Sequence, residues 1–520
     1  MSDTQSWKPR HNKWAIALAV TLVAFMEILD TTIVNVALPH IAGSMSVSND
    51  EATWTLTSYL VANGIVLPIS GWLARVFGRR RYFLLCIAAF TGCSFLCGIA
   101  DSLWQLILFR LLQGFFGGGL QPNQQSIILD TFPPEQRGRA FGITAMATVV
   151  APVLGPTLGG LITDNASWRW IFFINVPIGV LTFLAVTALV EDPPWARQGE
   201  RRIDAVGMGL IALGLGCLQI TLDRGENEDW LGSPFIRVTT VLTVVGLVSA
   251  VAWLLWTRRP VVDLRVLKDG NFAVGSLLIF CMGAVLYSSA VIIPQLAETV
   301  LGYTATLAGY ILSPGAILVA LVIPLVSRLL LPRVQTRFLV LFGFLCLTGA
   351  LFYSSGLSPQ VDFDTLVLMR MAQTFGLAFL FVPISTLAYA TLPKEQNGDA
   401  AALYTMFRNI SGSIGISVAT ALVTQRTQQH TAYLVANLTP FDQNFGITLQ
   451  HRAQALIALG RAPVEATQVA TGTMFQTLRQ QAAVLAYSDV FLFCAVMAAC
   501  AAPFALLFSA RKATGGPPGH

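Results

Sequence analysis

Long apolar runs alternate with short polar segments along nearly the whole chain. Each run has about 17 to 25 residues, which lets an α-helix cross about 30 Å of hydrocarbon. Because lipid offers no hydrogen-bond partners to the backbone, such segments are expected to be helical. We predict fourteen membrane-spanning helices, at 14–38, 52–73, 82–100, 104–128, 139–163, 170–190, 204–222, 236–256, 271–296, 305–327, 337–355, 364–391, 399–424 and 487–509.

The composition fits an all-α polytopic membrane protein. Hydrophobic residues make up 54% of the chain and charged residues only 11%, about half the charged share of a soluble domain. Lys and Arg concentrate before the odd-numbered spans, as in the cluster 79–81. Because cytoplasmic loops carry the excess of Lys and Arg, both termini are predicted in the cytoplasm. The net charge of +5 follows from this topology, and no nucleic-acid partner is expected.

An internal repeat appears when the chain is shifted by 260 positions. The shift lays Arg110 on Arg370 and Gln113 on Gln373, and the register continues without a gap through the next loop and span. Two homologous six-helix halves are therefore predicted. Parallel repeats of this kind are typical of transporters whose halves rock about a central site.

The repeat and the composition together predict four regions. They are an N-terminal six-helix bundle at 1–190, an inserted two-helix hairpin with charged linkers at 191–270, a C-terminal six-helix bundle at 271–510 and a cytoplasmic tail at 511–520. A long polar stretch at 425–486 is predicted as a periplasmic loop, within which 462–485 could form an amphipathic helix. This stretch could be a surface lid, a docking site for another protein or a passive spacer.

Two carboxylates, Glu27 and Asp30, lie near the middle of the first span. An Asp at the centre of a spanning helix is unfavourable by roughly 2.5 to 3.5 kcal/mol, so intramembrane acids usually have a function. The spacing of i and i+3 places both on one helix face, where one polar cavity could shelter them. We interpret the pair as a candidate proton site. The alternative is structural, with one acid capping a helix or pairing with a buried Arg.

Arg110, in the fourth span, is a buried cation that needs an acidic or carbonyl partner. Asp30 is the candidate partner, although the ion pair could be purely structural. The eight cysteines all fall within predicted spans and have no metal-ligand spacing, so neither a disulfide framework nor a metal site is predicted. No P-loop, nucleophile elbow or HExxH motif occurs, which argues against ATP-driven transport and against an enzyme.

Five local motifs occur together in the first half. They are LDTTIVNVALP at 29–39, GWLARVFGRRR at 71–81, LILFRLLQG at 106–114, APVLGPTLGG at 151–160 and WRWIFFINVPIG at 168–179. Their combination resembles the major facilitator superfamily, specifically its fourteen-span drug:proton antiporter branch (EmrB/QacA-like). The chain is most similar to EmrB-like exporters of Gram-negative bacteria, and the resemblance covers essentially all of it.

The resemblance implies a multi-pass efflux transporter of the bacterial inner membrane that exchanges protons for hydrophobic or amphipathic toxic compounds by alternating access. It also implies a periplasmic membrane-fusion adaptor and an outer-membrane channel as partners, with the proton gradient as energy source and no cofactor. Two other functions stay open. The chain could be a proton-coupled uptake permease on the same fold, or a non-transporting membrane sensor.

The resemblance also assigns roles to individual residues. Asp30 matches the first-helix acid that is a proposed coupling site, and Arg110 matches the span-four arginine thought to assist proton transfer. Glu27 lies outside the core of the motif, and it could be a second proton site or a negative group that attracts cationic drugs. Arg408 could act in substrate binding or gating, or could pack against a helix C-terminus.

Two motifs are assigned to conformational change. The loop motif contributes Gly71, Arg75, Gly78 and Arg79, and the span-five motif contributes Gly155, Pro156, Gly159 and Gly160. In the family an acid often stands where this chain has Arg75, and that acid is thought to latch the cytoplasmic side. Arg75 is not expected to do so, and Asp130 and Glu135 are possible substitutes. The span-five motif could let the helix bend or merely let helices pack closely.

Aromatic, Met and polar residues of several spans could line an adaptable cavity. The predicted lining is Phe25, Met26, Gln113, Tyr287, Phe375, Phe379, Phe407 and Arg408. No acid lies deep in the tenth span, where relatives that prefer dicationic drugs are thought to have one. Monocationic, neutral or weakly acidic substrates are therefore favoured.

Overall fold

The computed structural model describes residues 9–194, 203–358, 360–436, 438 and 443–508. Every regular element within these ranges is helical, which agrees with the predicted all-α class. In these ranges, fourteen helical segments are long and apolar enough to cross a membrane, which agrees with the predicted number of spans. The predicted tail at 511–520 and residues 195–202 of the first linker lie outside the described residues.

The first half contains six spans. Its helices are α1 (Lys13–Met45), α2 (Asn49–Phe77), α3 (Arg79–Gly98), α4 (Leu103–Gly117), α5 (Leu120–Thr131), α6 (Pro134–Asn165), α7 (Trp170–Phe173) and α8 (Asn175–Leu189). Helices α4 and α5 together form one span, and α7 and α8 form another. Helix α1 packs on α6 and α8, and α2 packs on α4.

An inserted hairpin of α9 (Ala205–Arg224) and α10 (Pro234–Trp256) separates the two halves. The second half contains α11 (Gly270–Thr299), α12 (Ala305–Leu325), α13 (Thr336–Ser354), α14 (Phe363–Ala378), α15 (Phe381–Ala388), α16 (Asn397–Ala436), α17 (Gln443–Ala458) and α18 (Pro463–Ala501). A shift of 260 positions carries Leu103, where α4 begins, onto Phe363, where α14 begins. The starts of these two helices therefore follow the sequence repeat.

Polar side chains set the starts of several helices by accepting hydrogen bonds from free backbone N–H groups. Ser48 and Glu51 form a capping box at the start of α2, and Asn12 caps α1. Asp269 caps α11 through the N–H of Phe272. We call the membrane face at which α1 begins the first face, and the opposite one the second face; successive spans alternate between them.

Large apolar side chains cover the outside of the bundle. On α10, Val238, Val241, Val245 and Val248 are all more than half exposed. A continuous apolar surface of this kind is expected where a helix contacts lipid, because its backbone polar groups are already satisfied within the helix.

The two halves meet where α6 contacts α12 and where both α2 and α5 contact α16. In the described part of the chain, the side-chain hydrogen bonds between the halves lie near the first face or at mid-span. Arg137 donates to the carbonyl oxygen of Tyr389 at 3.3 Å, and Thr405 donates to Gln125 Oε1 at 3.2 Å. The structure is thus closed at the first face.

The inserted hairpin is fastened to the first half near the second face. Arg224 is buried, its Nη2 lies 2.9 Å from Asp50 Oδ2, and its Nη1 donates to Thr53 Oγ1 at 2.7 Å. The neighbouring Asp223 accepts a hydrogen bond from Thr57. Because Asp50, Thr53 and Thr57 all belong to α2, the hairpin is attached to that helix. Helix α9 also contacts α16 of the second half.

The polar stretch at 425–486 differs from the predicted loop. Helix α16 continues to Ala436, and α18 already begins at Pro463, so the described part of the stretch is mainly helical, with α17 between them. The segment 462–485, which could form an amphipathic helix, is helical from Pro463 onward as the first part of α18. Hydropathy marks where a helix leaves the lipid and not where it ends, and these polar segments are supported by packing of α16 and α17 on α18.

Candidate functional site

The carboxylate of Asp30 lies at the centre of a buried polar site in the first half. Its side chain has no exposed surface, and its Oδ2 is 2.6 Å from Arg110 Nη1. Its Oδ1 accepts hydrogen bonds from Gln113 Nε2 at 3.0 Å and from Asn175 Nδ2 at 2.6 Å. The predicted contact between Asp30 and Arg110 is therefore confirmed, and α1, α4 and α8 converge on one acid. We call these four residues the Asp30 site.

Arg110 is held by several groups besides Asp30. Its Nε donates to the carbonyl oxygen of Thr55 at 3.2 Å, and its Nη1 also donates to Gln113 Oε1 at 2.8 Å. The guanidinium carbon lies 4.1 Å from the centre of the Tyr59 ring, within the range of a cation–π contact. Even so, Nη2 has no hydrogen-bond partner among the described residues. The cation is fixed in place while one donor stays free.

The sequence of α4 explains why these side chains point inward together. Its buried residues are Leu106, Arg110, Gln113, Gly114 and Gly117, which recur at intervals of three and four and form one helix face. At Gly114 a Cβ atom would collide with the backbone of Tyr59 on α2. The missing side chain therefore lets α2 approach closely enough for Thr55 and Tyr59 to contact Arg110.

Glu27 forms a second buried acidic site one turn earlier on α1. Its carboxylate accepts hydrogen bonds from Tyr59 Oη at 3.3 Å, from Asn63 Nδ2 at 3.1 Å and from Gln121 Nε2. The other end of the Gln121 amide, Oε1, accepts a hydrogen bond from Arg408 on α16. Gln121 thus links an acid of the first half to a cation of the second. We call this chain of contacts the Glu27 bridge.

Sequence reasoning missed four of the residues around the two acids, namely Tyr59, Asn63, Gln121 and Asn175. A signal for one of them was present. The segment 120–126 reads LQPNQQS inside an otherwise apolar span, and all seven residues are buried. Among them, Gln124 donates to Thr144 Oγ1 at 2.8 Å. Buried amides are usually hydrogen-bonded, so such a run predicts a polar wall, although not its partners.

The second half repeats the basic residue without the acid. Arg370 is buried, and its Nη1 donates to Ser289 Oγ at 2.8 Å, while Gln373 donates to Ser354 Oγ at 2.9 Å. No ion pair involves Arg370 in the part of the chain that the structure describes. The repeat therefore retains the buried arginine and glutamine, but among the described residues only the arginine of the first half is paired with an acid.

The predicted cavity residues fall into two groups. Arg408 belongs to the Glu27 bridge, and Tyr287 lies near it, packed against Gly412 one turn beyond Arg408. The others are not brought to that bridge by the contacts of the structure. Phe375 and Phe379 have ring centres 5.1 Å apart and pack with α13. The remaining ones, Phe25, Met26 and Phe407, pack in apolar clusters, and Gln113 belongs to the Asp30 site.

The loop motif builds a charged cluster between the halves at the first face. Arg75 of α2 pairs with Asp399 of α16, and Arg79 pairs with Asp130 of α5. Asp130 also accepts a hydrogen bond from Asn397 Nδ2 at 2.8 Å, so this acid bridges both halves. We call these five residues the first-face cluster.

This cluster corrects the expectation for Arg75. Arg75 does join the halves, because it pairs with Asp399 on α16. The basic residue of this contact therefore lies in the first half and the acidic residue in the second. Of the two suggested substitutes, Asp130 lies in the cluster, whereas Glu135 is exposed. Gly71 is required beside it, since a Cβ there would lie 2.9 Å from Asp399 Oδ1. Gly78 has φ +85 at the joint of α2 and α3, a conformation that favours glycine.

The span-five motif brings α6 against α1. A Cβ at Gly155 would collide with Thr32, and one at Gly159 would lie 3.1 Å from the carbonyl oxygen of Ile33. A Cβ at Gly160 would meet nothing within 4 Å. Pro156 lies inside α6, which continues as one helix to Asn165. Close packing therefore accounts for two of the three glycines in this conformation.

Two pseudo-symmetric six-helix halves around buried ionisable side chains are the architecture of a membrane transporter. The sequence profile described as Major Facilitator Superfamily matches residues 20–416. The chain is 37% identical over 477 residues to the multidrug export protein EmrB of Escherichia coli (strain K12), with 92% of this chain and 91% of that one covered. This protein belongs to the major facilitator superfamily.

Two further similarities extend this comparison. The fatty acid resistance protein FarB of Neisseria gonorrhoeae is 34% identical over 485 residues, with 92% of each chain covered. The crystal structure of the human organic anion transporter MFSD10 (TETRAN) aligns with a TM-score of 0.59 over 94% of this chain and 100% of that one, at 13% identity. At that identity the structural likeness concerns the fold alone.

Proposed function

We propose that this protein exports hydrophobic or amphipathic toxic compounds from a bacterial cell in exchange for protons. Membership of the major facilitator superfamily supports transport, and the similarity to multidrug export proteins supports the class of cargo. The observation that carries the exchange is the Asp30 carboxylate, which is fully buried at mid-span and paired with Arg110. An ionisable acid in that position is a functional site unless shown otherwise.

Proton binding changes the contacts of Asp30 in a defined way. As a carboxylate, Asp30 accepts bonds from Arg110, Gln113 and Asn175. A bound proton removes the charge that balances the guanidinium, and a buried cation without its counter-charge is strongly unfavourable. Arg110 then shifts toward its other acceptors, such as the Thr55 carbonyl oxygen. Through this exchange of partners, protonation of Asp30 on α1 alters how α1, α2 and α4 pack.

The Glu27 bridge relates a second acid to the contact between halves. Ionised Glu27 can only accept hydrogen bonds, and the Arg408 guanidinium can only donate them. The Gln121 amide between them therefore satisfies both in one orientation alone, with its nitrogen toward Glu27 and its oxygen toward Arg408. A proton on Glu27, or a cationic substrate beside it, competes with the Gln121 amide for the carboxylate. Either event weakens the link to α16. Glu27 is thereby suited to a second proton site or to attraction of cationic drugs.

Orientation and energy source belong to the same proposal. Both termini lie in the cytoplasm of a protein of the inner membrane, so the first face is cytoplasmic and the structure corresponds to a state closed toward the cytoplasm. Protons enter from the periplasm, and the membrane potential contributes about 2.3 kcal/mol per 100 mV for each charge moved. The proton gradient is the energy source, without a cofactor. A periplasmic membrane-fusion adaptor and an outer-membrane channel complete the export path.

Inside-out membrane vesicles test the exchange directly. Vesicles energised by respiration should accumulate a fluorescent lipophilic drug and release it when the gradient is collapsed. Asp30→Asn should abolish accumulation while leaving drug binding to the detergent-solubilised protein measurable. Asp101→Asn is the matched control, because Asp101 is an exposed aspartate 3.7 Å from Arg169. Energised efflux from inside-out vesicles would indicate an uptake permease, and unchanged cellular drug tolerance of Asp30→Asn, Glu27→Gln and Arg110→Ala would indicate a sensor.

A further inference from the structure

A cavity of about 580 Å³ lies at the first face between α6 of the first half and α12 of the second. It lies apart from the Asp30 site and the Glu27 bridge, and none of the residues of those sites lines it. Its wall combines two kinds of side chain. Arg139 and Arg328 are basic, whereas Ile143, Met146 and Ile323 are apolar.

The two arginines of this cavity are available to a ligand. Both are exposed, and neither forms an ion pair or a side-chain hydrogen bond with any residue in the described ranges. No acidic side chain lines the cavity. Arg328 lies on a π-helical turn, Val326–Leu330, which ends the span of α12. Such turns are rare and occur frequently at functional sites. The cavity therefore presents uncompensated positive charge.

The apolar wall of the cavity and its position near the end of the spans indicate which class of ligand it binds. Trp14, which also lines the cavity, stands at the start of α1, and Trp is enriched at the boundary between headgroups and acyl chains. The arginines are close to the ends of their spans, at the depth of lipid headgroups. Basic pockets between spans bind anionic lipid headgroups. A small inorganic anion would use the arginines alone, whereas a phospholipid would use both the charged and the apolar wall.

We infer that this cavity binds one anionic phospholipid of the leaflet at the first face. Its phosphate lies between Arg139 and Arg328, and one acyl chain lies along Ile143, Met146 and Ile323. Because α6 and α12 belong to different halves, the lipid contacts both of them. At Gly142, which also lines the cavity, a Cβ would lie 3.4 Å from Ile323 and Ser327, so the halves are in close contact at its base. The bound lipid stabilises the state that is closed at this face.

Lipid retention measured by native mass spectrometry tests this inference on the full chain. Delipidated protein is mixed with phosphatidylglycerol, with phosphatidylcholine or with glycerol 3-phosphate, which carries the anionic head without acyl chains. We expect one tightly held phosphatidylglycerol per chain, much less phosphatidylcholine and no retained glycerol 3-phosphate. Arg139→Gln with Arg328→Gln should weaken phosphatidylglycerol binding about tenfold or more.

The control removes two arginines of the same membrane face that lie outside the cavity, Arg258→Gln with Arg333→Gln. It should leave binding unchanged, which separates a specific site from general attraction to anionic lipid. Equal binding by both double variants would overturn the inference, as would equal retention of the two lipids. Retention of glycerol 3-phosphate as strong as that of phosphatidylglycerol would exclude the acyl contact. The measurement requires no transport, so its outcome is independent of the proposed exchange.

Discussion

The Asp30–Arg110 pair allows a double-mutant cycle that separates stability from transport. Both side chains are completely buried, and their charged atoms are 2.6 Å apart. Removing one partner leaves an uncompensated charge in the interior, which lowers the free energy of unfolding by about 3 to 5 kcal/mol. Asp30→Leu and Arg110→Leu should each have this effect. The double variant should recover most of the loss, because replacing a buried pair by apolar residues is often neutral or stabilising.

Two readouts are needed for this cycle. Unfolding by a denaturing detergent measures stability in micelles, and drug accumulation in inside-out vesicles measures transport. We expect the double variant to be nearly as stable as the native protein and inactive in transport. The pair Arg169–Asp101 is the matched control, because its aspartate is exposed and its charged atoms are 3.7 Å apart; a coupling energy below about 1 kcal/mol is expected.

The result that would refute this reasoning is recovery of transport together with stability. The pair would then hold α1 and α4 together without taking part in proton exchange. A single variant as stable as the native protein would refute the burial argument itself, because it would mean that water reaches the carboxylate or the guanidinium.

Three further predictions follow from the contacts between helices. Arg75→Glu should loosen the first face and increase the labelling of nearby engineered cysteines there, and the charge swap with Asp399→Arg should reverse this increase, since the pair would re-form with opposite polarity. Gln121→Met should break the Glu27 bridge and alter the pH profile of drug accumulation, since no amide would then link Glu27 to α16. Gly155→Val should lower the free energy of unfolding by about 1 to 3 kcal/mol through overpacking against α1, measured by detergent-induced unfolding.

Each of these predictions has its own contradictory outcome. Persistent labelling in the charge-swapped variant would mean that the two charges do not attract each other in the closed state. An unchanged pH profile for Gln121→Met, beside an equally unchanged Gln124→Met, would exclude a role for the bridge in proton exchange. Gly160→Ala is the control on α6, because a Cβ there meets nothing within 4 Å. If it destabilises as much as Gly155→Val, packing against α1 does not explain the loss, because Ala has a higher helix propensity than Gly.

The sequence predicted the spans well because their signal is local. Hydrophobic runs of the required length identified fourteen segments, and the described part of the chain has fourteen helices that could span a membrane. The contact of Asp30 with Arg110 was also predictable, because each buried charge needs a partner and few candidates existed. Neither step needed the relative placement of the helices.

Contacts that depend on tertiary placement could not be predicted in the same way. Arg75 and Asp399 are 324 residues apart, and nothing in the local pattern of Arg75 indicates an acid on α16. Gln121 and Asn175 are neutral amides, so no charge balance requires a partner for them. The extension of α16 was missed for another reason. This helix leaves the apolar layer and is supported by packing on α18, and hydropathy does not report that packing.

The attachment of α9 to α2 has a consequence for how compounds reach the protein from within the bilayer. The bundle has two lateral seams where the halves meet, one between α2 and α16 and one between α6 and α12. The inserted hairpin contacts both sides of the first seam and is tied to α2 by Arg224. A lipophilic molecule diffusing in the leaflet is thus screened from that side. We expect such a molecule to enter laterally between α6 and α12, so this protein has one lateral entry site from the bilayer instead of two.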